Sequence, residues 1–306
     1  MNRFLLVICF ILGLAQAQAK EAYAIYNNGT LTLYYDDARS TRGGKAYDVP
    51  NGTCYLPEIP YSFLVIHTGT LGHPWHENSK STTKIVFDAS FASYRPTVTY
   101  AWFTSFAVTE IQGMKYLNTS QATDMQYMFA GCEYLTSLDL SHFTITESAK
   151  AGSLCFSCLA LETLTLGNGI AAIGDNAFCN CIFLNNLTLP NSLKKISSGA
   201  FYNCYFLRNI VSQIAKPFDI RTDIFDEDTK QNATLTVPNG TKALYEACAG
   251  WKQFKHIVQA APNRIDAVQA DKPADAALYN LRGQRVTNPR KGLYIINGRK
   301  VLVPSF

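Results

Sequence analysis

Three histidines and a carboxylate fall within one short loop: His67, His73, His76 and Glu77 in "HTGTLGHPWHENS". Three imidazoles and a carboxylate make a sufficient donor set for a transition metal. Their spacing matches no helical ligand motif, and the Gly and Pro content makes the stretch a loop. The plainer expectation is a polar loop with Trp75 packed inward and no metal.

The cysteines are the second group with chemical potential. Beyond Cys9 there are eight: Cys54, Cys132, Cys155, Cys158, Cys179, Cys181, Cys204 and Cys248. An even count invites disulfides in an exported chain. Buried free thiols are the competing reading, because small thiols pack well when equivalent positions stack. Cys155-x-x-Cys158 and Cys179-x-Cys181 have no histidine or second cysteine pair at zinc-site spacing. There is also no phosphate loop, nucleophile elbow or zinc-protease motif. The acidic groups Asp36-Asp37 and Asp226-Glu227-Asp228 sit in turn-like contexts. No enzymatic activity and no cofactor are expected.

The elements that carry these cysteines repeat. "FAGCEYLTSLDLS" from Phe129, "CFSCLALETLTLG" from Cys155, "FCNCIFLNNLTLP" from Phe178 and "FYNCYFLRNIVSQ" from Phe201 superpose. Each has a Cys three places after its first residue, then an aliphatic residue six and nine places after it. A period in the twenties with this core is the mark of a leucine-rich solenoid. Following the ninth-place residue both ways gives Ile85, Ile111, Leu138, Leu164, Leu187, Ile210, Leu235 and Ile257. The expected fold is a mainly β solenoid of about eight coils, each with one short parallel strand.

Alternation along a strand then assigns faces. Leu164 and Leu166 point to the core. Ser137, Asp139, Thr163, Thr165, Asn186, Thr188, Asn209, Val211, Thr234 and Thr236 point out. Short polar side chains suit a solvated strand face; they also form the broad surface on which solenoids bind partners. Asp139, Thr163, Thr165, Asn186, Thr188, Asn209, Thr234 and Thr236 are the candidate contact residues.

At 47% hydrophobic and 16% charged, the 306-residue chain has the composition of a folded body. A net charge of +4 does not suggest a nucleic-acid partner. Residues 1–19 read as a secretory signal: Arg3, an apolar run from Phe4 to Leu14, then Ala15, Ala17 and Ala19 as cleavage sites. Ile8 before Cys9 argues against a lipid anchor. No later segment is long enough to span a membrane. The six N-x-Ser/Thr sequons, at Asn28, Asn51, Asn118, Asn186, Asn232 and Asn239, matter only in a eukaryotic secretory route.

Residues 20–75 read as an N-terminal β cap, with a hairpin turning at Asn28-Gly29. The solenoid follows over 76–258, and an Ala- and Pro-rich linker over 259–277. A small C-terminal β module occupies 278–306, with Arg282, Arg285, Arg290, Lys291, Arg299 and Lys300 and no acidic residue.

The repeat changes style near residue 148. Upstream, "MFAGC" resembles the Met-Phe-x-x-Cys repeat of the bacterial surface protein A family. Downstream, "IAAIGDNAFCNC" and "LKKISSGAFYNC" resemble that family's Ile-x-x-Ile-Gly-x-x-Ala-Phe leucine-rich repeat. The segment 234–258, with Trp251 and Phe254, looks like the closing coil of such arrays. The last block is similar to the end of type IX sorting domains, though shorter. The resemblance implies an exported cell-surface protein of Bacteroidetes-type bacteria. It implies adhesin-like binding of host matrix proteins, glycoproteins or neighbouring-cell macromolecules, without naming the ligand. The alternative is a structural envelope protein that contacts its own cell surface, with Phe183, Tyr205 and Phe206 as a lateral apolar stripe rather than core.

Overall fold

Two alternating runs, AYAIY and TLTLYY, meet at Asn28 and Gly29, both in the left-handed region at φ 45° and 79°. That turn pairs β1 (Glu21–Asn27) with β2 (Thr30–Asp36) as an antiparallel hairpin. β3 (Lys45–Asp48) adds to the other edge of β1. The computed structural model describes residues 19–50, 73–261 and, beyond these, 266–267, 278–280, 284–286, 292–296 and 299–303. The expected signal peptide up to residue 18, Cys54 and His67 lie outside the described residues.

The hairpin is joined to the repeats in one sheet. β2 pairs in parallel with β4 (Lys84–Phe87), setting Leu31 beside Ile85 and Leu33 beside Phe87. β4 pairs in parallel with β5 (Glu110–Gln112), Ile85 beside Ile111. Further strands are β6 (Ser137–Leu140) and β7 (Thr163–Leu166), which pair Leu138 with Leu164. After β8 (Ala172–Ile173) come β9 (Asn186–Leu189), β10 (Lys195–Ile196), β11 (Asn209–Ser212), β12 (Thr234–Val237) and β13 (His256–Gln259). β9, β11, β12 and β13 form one parallel sheet with Leu187, Ile210, Leu235 and Ile257 in register. All eight residues of the series thus sit on strands, and every hydrogen-bonded pair among them is in register. The sheet is not continuous: β5 and β6, and β7 and β9, belong to different sheets. The second break falls where the repeat step shortens from 26 to 23 residues. Leu166 faces inward as the alternation expects and packs against the core, but it is only half-buried.

On the side opposite the strands, the chain stacks by a different device. Residues 101, 127, 153, 176 and 199 are all left-handed, as are 105, 131, 157, 180 and 203. Only Gly131 and Gly199 are glycines; Tyr127, Ala101 and Ser153 adopt φ of 59°, 52° and 51°. Such a conformation costs an ordinary residue about 1 kcal/mol or more. The return is a bond between coils at every second amide. Ala101, Phe103 and Ser105 donate to the carbonyls of Gln126, Met128 and Ala130 at 2.9, 2.8 and 2.7 Å. Met125, Tyr127, Phe129 and Gly131 repeat this on Lys150, Gly152, Leu154 and Phe156, and Asn176, Phe178 and Asn180 on Ser198, Ala200 and Tyr202. In every case the N–H points to the following coil.

Between the two sides lies the core. Phe103 stacks on Phe129 at 5.6 Å, and Phe178, Phe201 and Phe225 stack at 5.5 Å steps. Beside them the repeat cysteines form a column of buried free thiols. Gly113, left-handed at φ 72°, lets β5 turn against the coil before it; a Cβ there would sit 2.1 Å from the Phe87 carbonyl oxygen. The far end is closed by α1 (Glu227–Asn232) and α2 (Lys242–Ala247), with Tyr245 and Trp251 fully buried. The Trp251 indole donates to the Phe218 carbonyl at 2.9 Å.

Residues 260–306 make a separate unit. In it β14 (Asp266–Ala267), β15 (Leu278–Tyr279), β16 (Gly292–Ile296) and β17 (Arg299–Val303) form a sheet in the order β14-β17-β16-β15. Asp266 and Ala267 therefore belong to this sheet rather than to the linker in which their composition places them.

Candidate interaction surface

A strand with a leucine at every second place has its other side chains on the solvent face. Asp139, Thr163, Thr165, Asn186, Thr188 and Asn209 are exposed, and Thr234 and Thr236 are half-buried. Pairing aligns them in two rows. Thr163 lies beside Ser137 and Thr165 beside Asp139; Asn186, Asn209 and Thr234 are one row, and Thr188, Val211 and Thr236 the other. The break between β7 and β9 divides the field into two groups, so the eight residues share a face but not one ladder.

Within the second group the amides bond to each other. Asn209 Nδ2 donates to Asn186 Oδ1 at 3.0 Å, and Asn186 Nδ2 donates to Asn185 Oδ1. Asp139 accepts from the Ser141 amide at 2.9 Å, which turns its carboxylate toward the strand end.

Next to this face stands a row of aromatic side chains. Tyr134, Phe183 and Phe206 are 59%, 50% and 53% exposed. Phe183 and Phe206 lie face to face at 5.4 Å with 8° between planes. Tyr202 and Tyr205 are also exposed. Three of these occupy the second place after a repeat cysteine, where spacing alone does not separate core from surface.

The histidine loop caps the stack. His73 Nε2 donates to the Tyr100 carbonyl at 2.7 Å, Trp75 Nε1 to the Trp102 carbonyl at 2.7 Å, and His76 Nε2 lies 3.1 Å from the Ala101 oxygen. These oxygens belong to the first turn of the left-handed rows. Burial holds His73 below the usual imidazole range, although its bond to Tyr100 opposes this. Glu77 faces elsewhere, paired with Lys45 at 2.5 Å and accepting from the Tyr47 hydroxyl. The donors of His73, His76 and Glu77 are thus engaged separately, and among the described residues no group of His, Cys, Asp or Glu is placed to hold a metal.

The thiols are engaged too. Cys132, Cys158, Cys181 and Cys204 donate to the carbonyls of Phe103, Phe129, Cys155 and Phe178 at 3.2, 3.1, 3.4 and 3.3 Å. Burial pushes Cys132, Cys155 and Cys204 well above the ordinary thiol value and Cys179 up to about 11. Raised pKa values oppose nucleophilic chemistry.

A cleft of about 180 Å³ opens where the repeat length changes, lined by Gln126, Glu147, Lys150, Asp175, Lys195 and Ser197. Among the described residues no helix is long and apolar enough to cross a membrane.

Comparison with known proteins follows the same geometry. The BspA type Leucine rich repeat region matches in six copies over residues 104–232. No curated protein matches the chain. A leucine-rich repeat protein from Bacteroides ovatus, solved at 1.19 Å, is similar at 16% identity over 79% of this chain and 70% of that one, with a TM-score of 0.30. One from Eubacterium ventriosum, solved at 2.50 Å, is similar at 12% identity over 79% and 83%, with a TM-score of 0.27. The repeat match coincides with the stacked cysteines and the left-handed rows; residues 104–232 carry BspA type leucine-rich repeats, stacked in a repeat, solenoid-like fold.

Proposed function

We propose that this chain is an exported, non-catalytic surface protein that binds a macromolecule, a host matrix protein or a glycoprotein, in the manner of an adhesin. The binding field is Asp139, Thr163, Thr165, Asn186, Thr188, Asn209, Thr234 and Thr236, carried by an array read as about eight coils over 76–258. Residues 20–75 cap that array. The supporting observation is the in-register outward face: its threonine hydroxyls make no hydrogen bond within the described structure, so they are available to a partner. Leucine-rich repeats of this type are themselves interaction modules, which favours binding over catalysis.

The test is a binding screen of residues 20–306 against immobilised matrix proteins, mucins and bacterial surface polysaccharides at several salt concentrations. A saturable, salt-tolerant response that survives deletion of 278–306 supports the reading, because attraction to the basic tail alone is screened by salt. Combining Thr165→Lys, Thr188→Lys and Thr236→Lys abolishes binding and leaves the melting temperature unchanged. Undiminished binding by that variant makes the strand face the wrong surface.

The exposed Phe183 and Phe206 stack favours a second reading, an envelope protein that packs sideways on its own surface. A monodisperse monomer in sedimentation that ignores envelope material removes it.

A further inference from the structure

We propose that the gap in the aromatic row at Ala160 seats a pyranose ring, so that the ligand is a neutral glycan lying across Ala160 and the neighbouring asparagines. This rests on the outward strand face being the binding surface and names the chemistry it takes.

The second place after the repeat cysteine holds Tyr134, Ala160, Phe183 and Phe206 in four successive coils. Phe183 and Phe206 cover each other's facing sides. On its other side Phe183 meets the coil of Ala160, where a methyl stands in place of a ring. Tyr134 follows one coil further on. One strand step, about 4.8 Å, separates the coil of Tyr134 from that of Ala160, and the coil of Phe183 follows across the break between β7 and β9. One ring's place in the row is vacant, walled by aromatic groups and floored by a half-buried methyl. An aromatic face carries negative charge and attracts the polarised C–H groups on the flat side of a sugar.

Beside that place runs the amide chain Asn209–Asn186–Asn185. Its internal bonds fix the amides and leave the Asn185 NH₂ and the Asn209 carbonyl as exposed ends. A primary amide offers a donor and an acceptor, which complements hydroxyls that are each both. The charge of the surface selects the same class. Of the ten outward positions from Ser137 to Thr236, Asp139 alone is ionisable. Nearby Arg208 is neutralised by Asp228 at 3.0 Å. A sulfated or nucleic-acid polyanion finds no countercharge here, whereas an uncharged hydroxylated chain needs none.

The test uses a biosensor carrying residues 20–306, with mucin, the same mucin chemically deglycosylated, and neutral N-acetylhexosamine and hexose oligosaccharides as free competitors. Ala160→Phe is the diagnostic variant, since it places in the gap the residue that two adjoining coils already carry. The expected result is at least a tenfold loss of response on deglycosylation, competition by a free neutral oligosaccharide, and at least a tenfold loss in Ala160→Phe with no fall in melting temperature. Asn186→Ala with Asn209→Ala reproduces the loss. Equal binding to deglycosylated mucin, or wild-type binding by Ala160→Phe, overturns the glycan inference. If a bare protein probe binds, and the triple threonine variant loses it, the strand-face reading stands and the glycan inference falls. If no probe binds, both fall.

Discussion

The Cys158 thiol donates to the Phe129 carbonyl one coil earlier, at 3.1 Å. Four repeat cysteines make the same bond, which explains why a small, weakly polar residue recurs at a fully buried place. Cys158→Ala removes both the sulfur volume and the bond. A loss of about 1–2 kcal/mol is expected, read by urea unfolding.

The thiols also set an alkaline limit. Their folded-state pKa values are raised by burial, so folding stability is full below the unfolded thiol value, about 8.5, and falls as pH rises past it. Each such thiol contributes a slope of up to about 1.4 kcal/mol per pH unit. Urea midpoints should hold from pH 7 to 8 and drop by pH 10. At pH 8 a thiol reagent should modify half-buried Cys248 before the buried column.

His73 makes an acid limit of opposite sign. Its Nε2 is committed to Tyr100, and its Nδ1 is buried without a partner. With the folded pKa depressed by burial, stability is full above the unfolded value of about 6.5 and is lost as pH falls through the folded pKa. His73→Gln should flatten the change in urea midpoint between pH 7 and pH 5, while lowering stability at pH 7.

Ser157 is left-handed at φ 57°, and the equivalent residues in the next two coils are Asn180 and Asn203. Asn203 donates to Asn180, and Asn180 to the Ser157 hydroxyl, at 2.8 and 3.1 Å. Asparagine tolerates this conformation better than serine. Ser157→Asn should stabilise by about 0.5–1 kcal/mol, seen as a higher melting temperature.

Gly113 has no such latitude, because φ 72° and the Phe87 oxygen exclude a side chain together. Gly113→Ala should cost about 2 kcal/mol or more in urea unfolding.

Much of the strand side was legible in the sequence, because a strand's period of two and the coil's period in the twenties both show in the leucines. Ile85 to Ile257 fell on strands for that reason, and Asp139, Thr163 and Thr165 fell outside. The opposite side was not legible. Ser, Tyr and Ala carry no signature of a left-handed backbone, and the bonds that compensate them join residues about 25 apart. The parallel join of β2 to β4 was hidden by the hairpin signal at Asn28-Gly29, which speaks only for β1. The polar loop with Trp75 packed inward was legible, but the partners of His73 and His76 were not, because they are backbone carbonyls, which no motif records. Phe183 and Phe206 could not be separated from core phenylalanines such as Phe178, because apolarity alone does not say which way a side chain leaves a turn.

The one-way run of amides gives the stack a heading. Along the left-handed rows each coil presents acceptors to the coil before it and donors to the coil after, so a coil reversed end for end finds no partner on that side. A coil duplicated in place finds both, and the array can lengthen internally by whole repeats while its ends stay unchanged. At the leading end His73, Trp75 and His76 occupy the acceptors that a second molecule would need. Growth of the array is thereby confined to the gene, and head-to-tail polymerisation through this ladder is closed off by two imidazoles and an indole.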